Sequence, residues 1–284
     1  MKQILTCTDG SVYAPSVYDH TAWAARRLDA GVRVLHMLER RTGQADTADF
    51  SGNLGPDTGK ELLNEFVQLE ETRNRLARER GKVILDAARR HLLNAGVTQV
   101  TVEQQHGELV ESVTRMESAA DLVVVGKRGE AADFAKLHLG SNLERVIRAS
   151  VRPVLVASRK FEPVARILVA YDGGPSVEKA LRFAVDQPLL KGLSCLLLRA
   201  GKIDDKAKWY LEEAAAKLRE AGYGVTARAT PGDPESVISA AVKEESVDLL
   251  VMGAYGHSRI RHLMIGSTTT AMVRTCKVPV LMFR

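Results

Sequence analysis

The chain has 284 residues, of which 45% are hydrophobic, 26% are charged and 5% are aromatic. This composition is typical of a soluble globular protein, and the length is sufficient for two domains that each bury a core of their own. The net charge of +5 would permit contact with nucleic acid. Because no basic stretch is interleaved with stacking aromatic residues, nucleic acid is not an expected partner.

The sequence also carries no sign of a membrane or an export route. No apolar run approaches the roughly 20 residues that a membrane-spanning helix needs. Residues 1–10 run directly into an apolar strand pattern, without the basic and apolar regions of a signal peptide. We therefore expect a cytoplasmic protein. Three cysteines without a C-x-x-C pair, at positions 7, 195 and 276, are interpreted as reduced packing residues, and the scattered histidines predict no metal site.

The first half of the chain predicts a series of strands and helices that begins with an apolar strand ending in Asp9-Gly10. A helical pattern follows, then a second apolar strand over residues 32–38. After a long interruption come residues 105–108, a short amphipathic helix, a buried strand over 121–126 and a closing strand over 152–156. The alternation of short apolar strands with helical segments is typical of a parallel sheet covered on both faces.

The interruption is an insertion of about 36 residues, placed at about residues 40–72. Gly, Asp, Thr and Ser dominate residues 40–68, which is the chemistry of a loop. A long helix with a strongly charged face is predicted from Leu69 to Ala95. Such a face is usually solvated, although it could add an interface.

The second half repeats the same series without the insertion. An apolar strand ends in Asp172-Gly173-Gly174, further strands are predicted over 193–200 and 248–253, and the chain closes with residues 278–282. The repeat predicts two related α/β domains, 1–158 and 164–284, each doubly wound with a mainly parallel five-stranded sheet flanked by helices. Pro153 and Pro279 lie in the closing strands, which suits edge positions. Pairing of these two edges would make the halves an intrachain pseudo-dimer with a pseudo-twofold axis.

The unusual residues of the second half fall where strands end. In an open parallel sheet, ligands bind beyond the carboxyl ends of the strands, at the reversal of strand order. Gly253 and Gly256 follow the fourth strand, nine residues come next, and Gly266-Ser267 then begin a helix. Glycines allow a close approach of the backbone to a ligand, and a helix N-terminus with hydroxyl groups suits a phosphate.

This G-x-x-G, nine residues, G-S pattern resembles the nucleotide motif of the universal stress protein family. The strand-ending Asp172 and the final Val278-Pro279-Val280 extend the resemblance over the whole second half, and a looser version covers the first half. The resemblance implies a tandem two-domain member that binds ATP, with Mg²⁺ left open as an accompanying ion. It also implies that Asp172 approaches the ribose or adenine end and Ala200 the adenine edge. The full set of expected nucleotide-binding residues is Ala170, Tyr171, Asp172, Ala200, Met252, Gly253, Gly256, His257, Gly266, Ser267, Thr268 and Thr269.

Each of these residues also has a purely structural interpretation. Asp172 could form an Asx turn, Ser267 could cap its helix, and the glycines could be turn residues. His257 is expected at the rim of the site and not as a catalytic base. The whole set in its order favours binding.

A second, weaker site is expected in the first half at Asp9, Gly126, Gly129, Gly140 and Ser141. Ten residues separate Gly129 from Gly140, one more than in the second half, and Glu130 and Asp133 add carboxylates that would oppose a phosphate. We interpret this site as altered.

The expected function is that of a regulatory ATP-binding protein in stress adaptation, and the stress role comes from the family resemblance alone. No enzyme activity is expected, because no P-loop lysine and no oriented base are evident. Two alternatives stay open: a slow ATP-hydrolysing or adenylate-processing enzyme, and a scaffold with empty sites. A homodimer of the tandem chain is also left open.

Overall fold

We describe a computed structural model of the chain over residues 1–38, 56–127, 141–254 and 266–284. Within these ranges, residues 56–63 and Ser141 are described by their backbone alone.

Among the described residues, the first half contains five strands that alternate with four α-helices. In chain order these are β1 (Lys2–Thr8), α1 (Ala14–Leu28), β2 (Ala30–Leu38), α2 (Pro56–Asn94), β3 (Val100–His106), α3 (Leu109–Met116), β4 (Leu122–Gly126), α4 (Ser141–Ala149) and β5 (Val154–Ala157).

The second half repeats this order. It consists of β6 (Arg166–Ala170), α5 (Pro175–Asp186), β7 (Ser194–Ala200), α6 (Asp205–Glu220), β8 (Val225–Thr230), α7 (Pro234–Glu244), β9 (Leu249–Gly253), α8 (Ser267–Thr275) and β10 (Val280–Phe283).

The ten strands form one continuous sheet in the order β3-β2-β1-β4-β5-β10-β9-β6-β7-β8. Neighbouring strands within each half are parallel, whereas β5 and β10 pair antiparallel, with Leu155 opposite Leu281. The predicted α/β class and the mainly parallel sheets are thus confirmed. The two five-stranded sheets are joined edge to edge at the strands that follow Pro153 and Pro279.

Two apolar layers cover the faces of this sheet, and each layer runs through both halves. One layer contains the buried side chains of α1, α2, α5 and α6, and the other contains those of α3, α4, α7 and α8. Strand β4 shows how the sequence produces this arrangement: Leu122 and Val124 belong to the first layer, and Val123 and Val125 to the second. A run of apolar residues therefore becomes a strand buried on both faces.

The aspartate that precedes β4 or β9 fastens the start of the neighbouring strand in each half. Asp121 Oδ2 accepts a hydrogen bond from the backbone N–H of Gln3 at 2.8 Å. Asp248 Oδ2 accepts two such bonds, from Ala165 and Arg166, both at 2.8 Å. These carboxylates align the first and fourth strands of each repeat at their amino ends.

Helix α2 begins at Pro56, 13 residues before the predicted start at Leu69, and ends at Asn94, close to the predicted Ala95. The expectation of a loop as far as residue 68 was therefore wrong. Proline is well placed at a first helical position, where its missing N–H costs no hydrogen bond. Residues 40–55 of the predicted insertion lie outside the described residues.

Cys7, Cys195 and Cys276 are buried and none is in a disulfide. Burial raises the pKa of both Cys7 and Cys195 to about 12. None of the described helices is both long enough and apolar enough to cross a membrane.

Candidate functional site

The order of strands reverses between β6 and β9 in the second half, since the chain leaves β6 toward β7 and returns to β9 on the other side. Ala170 lies beside Met252, and Phe283 lies beside Gly253 in the sheet. The carboxyl ends of β6 and β9 therefore lie side by side at one end of the strands, here called the β6–β9 edge. This is the position where ligands bind in doubly wound folds, and the predicted residues of these strands lie there.

Asp172 forms a tight turn directly after β6. Its Oδ1 accepts a hydrogen bond from the N–H of Gly174 at 2.8 Å, and Gly173 has a φ of 73°, a left-handed conformation that favours glycine. Asp9 forms the same turn in the first half, with Ser11 N–H to Oδ1 at 2.9 Å. The structural interpretation of this aspartate, an Asx turn, is thus present in both halves.

Tyr171 directly follows β6. Its ring is buried, and its hydroxyl group donates a hydrogen bond to Glu178 Oε1 at 2.9 Å. Burial is the main cause that raises the pKa of Tyr171, and the contact with Glu178 adds to it. The Tyr171 side chain is therefore held against helix α5.

Helices α5 and α8 begin next to the reversal of strand order, and their N-termini are capped differently from those of α6 and α7. The N-cap residues of α5 and α8, Gly174 and Gly266, make no side-chain cap hydrogen bond. The N-caps of α6 and α7 are aspartates whose carboxylates accept from the helix backbone: Asp204 from Ala207 N–H at 2.7 Å, and Asp233 from Ser236 N–H at 2.9 Å. Helices α5 and α8 thus have no carboxylate from their own N-cap residue, although at α5 the Asp172 carboxylate accepts from the N–H of Gly174.

The hydroxyl groups at the start of α8 differ in their surroundings. Ser267 is exposed and Thr268 is half-buried. Thr269 is buried, and its hydroxyl group donates to the carbonyl of Gly253 at 3.1 Å. Ser267 and Thr268 are therefore the two that a ligand at this edge could reach.

Gly253 is packed against helix α5. A Cβ at this position would lie 2.9 Å from Ser176 Cβ and 3.4 Å from the backbone nitrogen of Val177. Because Gly253 has no side chain, the first turn of α5 can pack against it. This packing differs from the expected function of the glycine, which was to allow the backbone to approach a ligand. Met252 is buried with its side chain in the layer of α7 and α8, while Ala200 is half-buried at the end of β7.

Several predicted residues lie outside the described residues. These are Gly256 and His257 in the second half and Gly129, Gly140, Glu130 and Asp133 in the first half. Gly126 ends β4 and Ser141 begins α4, as predicted from the repeat.

Arg199 was absent from the residues expected from the sequence. It lies one position before Ala200, and its guanidinium Nη1 donates to the carbonyl of Asp172. The Nε atom of the same side chain is buried and has no hydrogen-bond partner among the described residues. The signal in the sequence was the charge of Arg199 directly after the apolar run Leu196-Leu197-Leu198. It places a positive charge behind the turn at Asp172.

The first-half turn is covered more closely than its second-half counterpart. A Cβ on Gly10 would lie 2.5 Å from Ile84 Cδ1 of α2, whereas a Cβ on Gly173 would find its nearest neighbour, Arg199 Nη1, at 3.7 Å. His36 occupies the position of Arg199 in the first half, and its Nδ1 lies 2.9 Å from the carbonyl oxygen of Thr8. The two edges therefore differ in both space and charge.

A mainly parallel sheet whose strand order reverses, with helices on both faces, defines a doubly wound α/β fold. The sequence model of the universal stress protein family matches twice, over residues 1–158 and 163–284. The chain therefore belongs to the universal stress protein family, with two such units in tandem. The resemblance seen in the glycine pattern is confirmed.

Similar proteins agree with this assignment. Universal stress protein Slr1230 of Synechocystis is 39% identical over the whole length of both chains. Universal stress protein MT2052 of Mycobacterium tuberculosis is 23% identical over 99% of this chain and 94% of its own. The crystal structure of a universal stress protein from Archaeoglobus fulgidus is similar in fold, with a TM-score of 0.72, 22% identity and coverage of 99% of this chain and 98% of that chain.

Proposed function

We propose that the second half of the chain binds an adenine nucleotide, ATP, at the edge between β6 and β9, and that the bound nucleotide regulates the protein and is not turned over. The observation that carries this proposal is the pair of helices, α5 and α8, that begin at this edge without a side-chain cap. The N-terminus of a helix carries a partial positive charge and N–H groups that suit a phosphate.

The phosphates would lie at the start of α8. The N–H groups of the first turn and the hydroxyls of Ser267 and Thr268 are the donors offered there, and Gly266 leaves the approach free of a side chain. Thr269 would support the site indirectly, because its hydroxyl holds the carbonyl of Gly253.

The adenine and ribose end would lie at Ala170, Asp172 and Ala200. The choice of adenine follows from the family resemblance. Arg199 adds a cation beneath this end of the site and fixes the carbonyl of Asp172 through its Nη1 donor. A ligand in contact with the Asp172 turn would therefore meet a backbone that is already held in place.

We propose that the first half has the weaker site. Its turn at Gly10 is filled by Ile84, which leaves less space than the corresponding turn at Gly173. The difference in loop length between Gly129 and Gly140 supports the same assignment on the sequence alone.

A regulatory function without turnover is proposed because the edge offers backbone donors, two hydroxyl groups and an Asp172 carboxylate that is engaged in its own turn. A group of at least three metal-binding side chains is not found among the described residues. We further propose that the two units are residues 1–158 and 164–284, that the protein is cytoplasmic, and that nucleotide occupancy acts in stress adaptation.

The test is the substitution Ser267→Asp, with Ser141→Asp as the matched change at the start of α4. A carboxylate at a first helical position interacts favourably with the helix dipole, so Ser267→Asp should leave the free protein folded and at least as stable. The same carboxylate would repel a phosphate. We expect ATP to raise the melting temperature of the unchanged protein by mass action, more than GTP does.

In a calorimetric titration, Ser267→Asp should lower the affinity for ATP at least tenfold, a difference of about 1.4 kcal/mol, whereas Ser141→Asp should change it little. Equal binding by Ser267→Asp and the unchanged protein would refute the phosphate position. An absence of any shift with millimolar ATP would refute the nucleotide site itself. Turnover of ATP near 1 per second, typical of an enzyme, would refute the regulatory function.

A further inference from the structure

The amino-terminal part of α2 is largely exposed, although the Arg78 carbonyl accepts a hydrogen bond from Gln104 of β3 at 3.3 Å. Residues 64–80, here called the arm, are exposed apart from the half-buried Glu70, and the helix is buried against the sheet only from Gly81 onward, at Leu85, Ala88 and Leu92. The arm is about 25 Å long at 1.5 Å per residue. An isolated helix of this length is only marginally stable in water. The arm therefore lacks the packing that stabilises the rest of α2.

Large apolar side chains form a stripe along the arm. Phe66, Leu69 and Leu76 are 46%, 50% and 61% exposed, and Val83 continues the stripe at 66%. Their spacings of three and seven residues place them at the a and d positions of a heptad, within one face about 100° wide. One a position and three d positions are thus apolar, while Arg73 and Arg80 occupy the next two a positions. The stripe is therefore a seam that is apolar mainly at d.

Charge is divided between the two ends of the arm. Residues 64–71 contain three carboxylates and no lysine or arginine, whereas residues 72–82 contain five cations and one carboxylate. Ion pairs within the helix include Glu70 with Arg73 at 3.1 Å and Glu79 with Lys82 at 2.8 Å. Exposed pairs of this kind contribute little, and they leave one end acidic and the other basic.

This division selects both the partner and its direction. A second arm that runs parallel would set acid against acid and base against base, which is unfavourable, while an antiparallel one sets each acidic end against a basic end. The surface is therefore complementary to itself under a twofold axis, the commonest symmetry of homo-oligomers. A second copy of this chain meets both the apolar and the charge requirement.

We propose that two copies of this chain associate through their arms as an antiparallel coiled coil that crosses near Glu71. In this register Phe66 of one copy faces Leu76 of the other, and Leu69 faces Arg73. The nucleotide site in the second half of the chain takes no part in the contact.

Two charge variants test the pairing. One carries Glu65→Lys, Glu70→Lys and Glu71→Lys, which makes the whole arm basic. The other carries Arg73→Glu, Arg75→Glu and Arg78→Glu, which makes it acidic. The control, Lys206→Glu with Lys208→Glu, reverses exposed charges on α6. Sedimentation equilibrium should give the unchanged chain and the control at twice the 31.0 kDa of one chain.

Each charge variant alone should dissociate at least tenfold more readily, and an equimolar mixture should recover the dimer, which also shows that both variants are folded. A monomeric unchanged chain, as expected if residues 39–55 or solvent cover the stripe, would overturn the proposal. So would charge variants that stay dimeric, because the interface would then lie elsewhere.

Direction is tested by oxidation of cysteine variants. Leu69→Cys mixed with Arg73→Cys should give a disulfide-linked dimer between the two variants, whereas Leu69→Cys alone should not. The three native cysteines are buried and do not interfere. A linked dimer of Leu69→Cys alone would show a parallel pair and overturn the antiparallel arrangement.

Discussion

Gly253, at the end of β9, and Ser176, in the first turn of α5, lie so close that a Cβ on Gly253 would be 2.9 Å from the Cβ of Ser176. The contact joins the end of β9 to the start of α5. A Cβ on Gly253 would also lie 3.4 Å from the backbone nitrogen of Val177, so it would have little room to move away from Ser176. The glycine is thus required for packing before any ligand binds.

Gly253→Ala should therefore lower the free energy of unfolding by about 1–3 kcal/mol, the usual cost of overpacking. Gly224→Ala is the matched control, because a Cβ there meets nothing within 4 Å. That substitution should be neutral or stabilising, since alanine restricts the unfolded chain. Urea denaturation of both variants decides the matter: equal stability would show that α5 adjusts freely and that the close contact has no cost.

Asp248→Ala should lower the free energy of unfolding by about 1–3 kcal/mol, because two backbone N–H groups lose a charged acceptor. Asp248→Asn keeps an acceptor and should cost less. Asp121→Ala removes one such bond and should have the smaller effect of the two alanine variants. Urea denaturation of all three variants measures these losses. A larger loss of stability in Asp121→Ala than in Asp248→Ala would contradict this account.

His20 should make stability depend on pH. It is 1% exposed, its Nδ1 lies 2.6 Å from the carbonyl oxygen of Ser16, and burial lowers its pKa below 6.5 although Asp19 opposes the shift. Below pH 6.5, His20 binds a proton in the unfolded chain but not in the folded chain. The free energy of unfolding therefore decreases as the pH is lowered, by at most about 1.4 kcal/mol per pH unit, until the pKa of His20 in the folded chain is reached.

The measurement compares the unchanged protein with His20→Gln at pH 7.5 and pH 5.0. The stability advantage of the unchanged protein should shrink at the lower pH, because glutamine does not titrate. An advantage that is the same at both values would mean that His20 binds protons equally in both states.

Cys7 and Cys195 should resist alkylation in the folded protein. With a pKa of about 12 instead of 9.0, each has roughly a thousandfold less thiolate at neutral pH, and thiolate is the reactive form. Iodoacetamide labelling followed by peptide mass analysis should show both unmodified until denaturant is added, when all three thiols react. Rapid labelling of either in the folded state would contradict their burial.

The duplicated fold could be predicted from sequence because each strand is a short apolar run and each run occurs twice. The pairing of edges was predictable for a different reason: Pro153 and Pro279 predict that each closing strand lies at the edge of its own five-stranded sheet. These two edges pair with each other at the centre of the ten-stranded sheet. The start of α2 was not predictable in this way. Its first residues, Pro56-Asp57-Thr58-Gly59, have the composition of a loop, so the sequence predicted a loop where the helix begins.

The candidate site was predictable in its position and less so in its details. The strand ends of β6 and β9 bring the predicted residues to one edge, as their order along the chain requires. However, a glycine needed for packing, such as Gly253, is indistinguishable in sequence from one needed by a ligand. Arg199 was missed because its significance depends on the carbonyl of Asp172, which only the folded chain brings next to it.

The antiparallel contact of β5 with β10 also has a consequence for biosynthesis. Strand β5 is complete by Ala157, but its partner is formed by Val280–Phe283, so more than 120 residues are synthesised between the two strands. The first unit therefore has an open sheet edge throughout synthesis of the second, and open edges invite pairing with other chains. Speed of translation through the second half, and protection by chaperones meanwhile, should thus govern how much of this protein reaches the native state.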